Sequence, residues 1–171
     1  IAALIANGFS AAGDLLRERS SYLARSKKRK RSEGNHIFLS YSKENSHFAK
    51  DLADALSQKG LNVWSDFASL ESGTTRYEAV DIGIQQSDSL VVIDSGNGSR
   101  QVNSDIATFI RSREEDGNDL DIIPIRLSDQ LSTSLLQGFP VIDGQELLKD
   151  EGAAMRMAEQ ISEAMQRKYM L

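Results

Sequence analysis

From His36 onward, short apolar runs alternate with stretches in which apolar side chains recur every three or four positions. The runs HIFLS, LNVWSD, SLVVIDS, LDIIPIRL and FPVID have the length and the branched or aromatic content of buried strands. After the first of them, Phe48, Ala49, Leu52, Ala53 and Leu56 share one helical face. Asn45 or Ser46 supplies a cap for that helix and Gly60 a stop. RYEAVDIGIQQS predicts a second helix. VNSDIATFIRSREED predicts a third, with Val102, Ile106, Phe109 and Ile110 turned inward. A short helical piece is expected around Leu131 to Leu136. GAAMRMAEQISEAMQRKYML predicts a closing helix that buries Ala154, Met157, Ala158, Ile161, Ala164 and Met165.

Strands separated by helices imply an α/β domain, a five-stranded parallel sheet with helices on both faces. Right-handed crossovers leave few topologies, and a flavodoxin-like strand order is the natural expectation. In such sheets the ligand crevice lies beyond the carboxyl ends of the strands. SYSKEN, SDFASLESG and DSGNGS, which follow the first three strands, are therefore the candidate site segments. GNGS has two glycines after an apolar strand, but it is neither a dinucleotide fingerprint nor a phosphate loop.

The first 35 residues follow another pattern. Ile1, Leu4, Ile5, Phe9, Ala12, Leu15, Leu16 and Leu23 recur at near-helical spacing, and Lys27 to Arg31 form an unbroken basic run. The reading is an amphipathic helix and basic linker over 1–35, continuing from an upstream module, followed by one domain over 36–171. Gly8 and Gly13 weaken that helix by about 1 kcal/mol each relative to alanine. Ile1 to Gly13, the uncharged part, falls short of the roughly 20 apolar residues that span a bilayer. Three readings of the basic run stay open: a solvated linker, a contact with anionic lipid, or a localisation or nucleic-acid signal.

Composition removes several chemistries. There is no cysteine, so thiolate zinc clusters, disulfide frameworks and cysteine nucleophiles are excluded. Only His36 and His47 are available to a histidine metal site or a serine triad, and no metal is expected. Residues 1–35 carry eight Lys/Arg against three Asp/Glu, while the remainder carries twelve against twenty-two. An acidic body of that kind offers no basic face for nucleic acid.

Several separated motifs agree in order and spacing over about 130 residues, and together they resemble the TIR (Toll/interleukin-1 receptor) domain family. They are Phe38, Ser40, Tyr41, Ser42 and Glu44 around the first strand, then Gly60, Val63, Trp64 and Asp66 around the second. Gly73, Ser87, Val91, Val92, Ser95 and Pro124 complete the match. The resemblance implies either a scaffold that recruits other TIR domains or an enzyme that assembles and cleaves NAD+ at the nicotinamide–ribose bond. The expectation carried forward is the enzyme, a bacterial-type immune effector in the cytoplasm, with NAD+ as substrate and no further cofactor. Its implied partners are other TIR domains, met through the loop Phe67 to Thr75, and an upstream sensor module. Membrane contact is expected only through the N-terminal segment.

In the cleaving members a glutamate early in the helix after the third strand contacts the ribose, in a setting like Ser-x-Trp-x-x-x-Glu-Leu. Ser99 to Ile106 align with that motif, which puts Asp105 at the acid position and Gln101 at the tryptophan position. Asp105 keeps the carboxylate with one methylene fewer, and Gln101 removes an aromatic stacking surface. Glu114 and Glu115 lie more than two turns further along and cannot substitute. The resemblance names Asp105 as the catalytic residue and Phe38, Ser40, Tyr41, Trp64, Ser99 and Gln101 as nucleotide contacts. By residue type alone, a second reading stays open for Asp105, Trp64, Phe38, Ser40 and Tyr41. Asp105 also suits a first-turn acid favouring the helix dipole, Trp64 and Phe38 suit core positions, and Ser40 and Tyr41 suit a loop entry.

Overall fold

The computed structural model of the chain describes residues 36–65 and 76–169. The expected helix and basic linker over 1–35, Asp66 and the loop Phe67 to Thr75 lie outside the described residues. Among those described, five strands form one sheet: β1 (His36–Ser40), β2 (Asn62–Trp64), β3 (Ser89–Asp94), β4 (Ile122–Arg126) and β5 (Ile142–Asp143). Every neighbouring pair is parallel, in the order β2-β1-β3-β4-β5. This is the flavodoxin-like α/β arrangement that the alternation of runs and helices predicts. The helices are α1 (Ser46–Gln58), α2 (Arg76–Gln86), α3 (Arg100–Asp116), α4 (Gly144–Leu147) and α5 (Ala153–Tyr169).

Side chains alternate across a strand, and β1 shows how that builds two cores. Ile37, Leu39 and Tyr41 join Ala49, Leu52 and Leu56 of α1 and Met157, Ala158, Ile161 and Met165 of α5. Phe38 turns the other way and joins Ile84 of α2 with Val102, Ile106 and Phe109 of α3. A sheet covered on both faces has no polar side to its central strands, and all six residues of β3 are buried.

The helix faces follow the predicted stripes with small departures. Ile110 is only partly buried, α3 begins two residues before Val102, and Ala55 is buried on α1 beside the expected residues. Ala164, expected to face inward, is exposed. It falls at the margin of the stripe set by Met157, Ala158, Ile161 and Met165. Asn45 occupies the cap position of α1, yet its amide donates to Ser42 Oγ at 3.0 Å and makes no side-chain cap bond. Gly60 follows the end of α1 with φ of 79°, a conformation open to glycine at no steric cost. The short helical piece is a single turn, Ser134–Leu136, and the sequence reading contained no counterpart of α4.

Candidate functional site

Chain direction reverses across the sheet between β1 and β3. From β1 the chain runs outward to β2, then returns to lay β3 on the other side of β1. That switch point, at the carboxyl ends of the two strands, is where open α/β sheets bind ligands. Ser40 is the last residue of β1 and pairs in register with Val92 of β3. Its hydroxyl donates to Asp105 Oδ2 at 2.7 Å, a buried bond between residues 65 apart in sequence.

Asp105 reaches this place because α3 is anchored through Val102, Ile106 and Phe109, all buried against the sheet. The helix starts at Arg100, so Asp105 stands in its second turn, and no acid occupies the first. The first-turn dipole reading of Asp105 therefore does not apply, since that effect fades beyond the terminal turn. Asp105 is 5% exposed, and a carboxylate seldom reaches such burial unless it is paired or hydrogen-bonded.

A cleft of about 290 Å³ opens between α2 and α3. Val80 and Asp81 line it from α2, and Arg100, Gln101, Ser104, Asp105 and Thr108 from α3. Gln101, Asp105 and Thr108 are spaced at i, i+4 and i+7, one face of a helix, while Arg100 and Ser104 form the adjoining row. The volume lies near the lower end of the roughly 300–1,000 Å³ usual for small-molecule pockets, enough for one half of a dinucleotide.

Of the residues singled out from sequence, the structure brings Ser40, Gln101 and Asp105 together. The other four are elsewhere. Phe38 is 2% exposed and stacks on Trp64, with ring centroids 4.8 Å apart and planes 15° apart. The indole also lies against Gly83 of α2, where even a methyl group would overlap it. Phe38 and Trp64 thus form part of the core beneath α2, and neither lines the cleft. Tyr41 packs among the residues under α1 and α5, on the opposite face of the sheet from Asp105. Ser99 sits at the cap position of α3 without a side-chain cap bond and is outside the cleft lining.

The sequence reading missed Val80, Asp81, Arg100, Ser104 and Thr108. Three of these were legible in principle, because Arg100, Ser104 and Thr108 flank Gln101 and Asp105 at helical spacing. Val80 and Asp81 were not, since their place depends on how α2 packs beside α3. Beyond the cleft, Asp94 ends β3 and is 3% exposed. It accepts from the Gly96 amide at 2.9 Å and the Ser132 amide at 2.7 Å. It ties together the loops that follow β3 and β4. At the ends of β4 and β5, Arg126 bonds Asp143 at 2.7 Å, which holds the Asp143 carboxyl below its ordinary value of 3.8. Among the described residues no three His, Asp or Glu side chains gather as a metal site would need, and no helix is long and apolar enough to cross a membrane.

A parallel sheet of order 2-1-3-4-5, covered by helices on both faces, defines a flavodoxin-like α/β domain. The TIR domain family model matches residues 37–161, and the chain belongs to that family. No curated protein sequence matches it. Among solved structures, the chain is similar to the TIR domain of the Toll-related receptor TRR-2 from Hydra magnipapillata. The TM-score is 0.52 at 15% identity, over 63% of this chain and 82% of that one. A prokaryotic SEFIR domain is similar with a TM-score of 0.52 at 17% identity, over 77% of this chain and 97% of that one. The TIR domains of the activated Roq1 resistosome, which directly recognises the pathogen effector XopQ, give 0.49 at 21% identity, over 77% and 72%. At these identities the likeness is one of fold.

Proposed function

We propose that this TIR domain cleaves NAD+ at the nicotinamide–ribose bond, with the Asp105 carboxylate stabilising the positive charge that develops on the ribose. The observation that carries the reading is a buried carboxylate lining a cleft beside the β1–β3 switch point, at the position that the family resemblance assigns to the acid. As the C1′–N bond breaks, its electron pair leaves with neutral nicotinamide, so no acid is needed for the leaving group. An oxocarbenium-like ribose remains, and a fixed negative charge beside it stabilises it. Water then adds at C1′ and releases one proton, giving ADP-ribose. Gln101 takes the place of the family's tryptophan at the cleft wall and offers hydrogen bonds where an aromatic offers stacking.

On this reading the protein is a bacterial-type immune effector acting in the cytoplasm. Assembly with other TIR domains through Phe67 to Thr75, under an upstream sensor, would bring the site into its active arrangement. The test is nicotinamide release from NAD+ by concentrated, assembled protein, beside Asp105→Ala. Release that this variant abolishes supports the reading, and silence from a demonstrably assembled sample ends it.

A second reading rests on the same stretch. Aspartate for glutamate and Gln101 for tryptophan are the changes that a pocket retired from catalysis would show, leaving an assembly scaffold. Size-exclusion chromatography of a variant in Leu70 to Gly73 tests it. Lost association without any NAD+ turnover in the parent protein is the scaffold's signature.

A further inference from the structure

Ser40 was expected among the nucleotide contacts, and its surroundings give it another task. It is 1% exposed and ends β1, a strand paired on both sides by β2 and β3. A serine hydroxyl carries one proton, and Ser40 directs it to Asp105 Oδ2 at 2.7 Å. It therefore has none to offer a nucleotide. The donor is buried at the end of a central strand, and the acceptor stands on a helix held by three buried apolar residues. An aspartate side chain has two torsions between backbone and carboxylate. A short, charge-assisted bond to a fixed donor restrains both.

We propose that Ser40 is a positioning residue, fixing the orientation of the Asp105 carboxylate beside the cleft, and is not itself a substrate contact. The inference rests on the NAD+ reading for its kinetic consequence, while the geometric part stands on the bond alone. Positioning matters more here than in a chain with glutamate. A shorter side chain has less reach with which to correct a misaimed carboxylate, and a misplacement of about 1 Å costs on the order of 10²-fold in rate. The β1 serine thus helps make a short acid usable.

The experiment compares Ser40→Ala and Ser40→Thr with the parent protein in nicotinamide release, per folded molecule as measured by circular dichroism. In Ser40→Ala, kcat is expected to fall about 10- to 100-fold, with KM within about twofold because binding contacts are untouched. Ser40→Thr keeps the hydroxyl and should recover most of kcat. An unchanged kcat in Ser40→Ala overturns the proposal, as does a rise in KM alone, which would mark Ser40 as a substrate contact. If Ser40→Ala does not fold, Ser40→Cys serves, because its thiol is a weak donor of similar size. A parent protein that releases no nicotinamide defeats the NAD+ reading instead. The positioning role is then scored by carbon NMR of the Asp105 carboxyl, identified by its loss in Asp105→Asn. That resonance should move in Ser40→Ala and return in Ser40→Thr, and an unmoved resonance overturns the proposal.

Discussion

At the scale of single residues, Asp105 and Gly83 make opposite kinds of prediction. Asp105→Asn keeps shape and removes charge. If the carboxylate stabilises a cationic ribose, nicotinamide release should fall about 10²- to 10³-fold. Retained turnover in a folded Asp105→Asn sample would assign the charge a purely structural role. Gly83→Ala tests packing alone, because its methyl would overlap the Trp64 indole, which is already stacked on Phe38. Overpacking of this kind costs about 1–3 kcal/mol, so the urea midpoint should drop clearly. A midpoint unchanged by Gly83→Ala would mean that Trp64 has room to move, and the core assignment of that ring would fail. Residue type alone left both Trp64 and Asp105 open. Both have long-range neighbours that residue type does not announce: an indole against a glycine on the next helix, and a carboxylate met by a hydroxyl on the first strand.

At the scale of elements, the loops after β3 and β4 depend on Asp94, whose two oxygens take the amides of Gly96 and Ser132. Asp94→Ala removes both charge-assisted bonds and should destabilise the domain by on the order of 2 kcal/mol. Equilibrium denaturation with the midpoint in place would show that water replaces those bonds without loss. The pair Arg126–Asp143 fastens the ends of β4 and β5 and makes a pH-dependent contribution. Arg126 lowers the Asp143 carboxyl below 3.8, so the folded state binds that proton less readily than the unfolded chain. The stabilisation is therefore present above about pH 3.8 and is lost as pH falls through the lowered folded value. The pair is solvent-exposed and its contribution small. Thermal melts of the parent protein and Asp143→Asn should differ slightly at neutral pH and converge in acid. A gap that persists at the lowest pH would mean that the effect comes from another source, such as the capping bond from Gln145 to Asp143.

At the scale of the molecule, the fold was largely legible in the sequence and the site only partly. Apolar runs such as SLVVIDS and the stripe Met157, Ala158, Ile161 and Met165 carry their secondary structure in their own spacing, and the parallel order follows from their alternation. Short elements escaped. Helix α4 has one turn and no periodicity to read, and Ala164 sat at the edge of a stripe where spacing no longer decides burial. The site was reached by a different route. The family resemblance named Asp105, Ser40 and Gln101, which the fold brings together, and with them Tyr41, which packs on the opposite face of the sheet. It also named Phe38 and Trp64, for which residue type kept a core reading open and which pack beneath α2. Partners 65 residues apart leave no local trace, so the bond from Ser40 to Asp105 was invisible until the fold joined them. The central claim is that this joined carboxylate makes the domain an NAD+-cleaving enzyme. Its most direct test is the rate of nicotinamide release by assembled parent protein against assembled Asp105→Ala. Turnover is expected in the first and none above background in the second. Equal rates in the two, or no turnover in either, would contradict it.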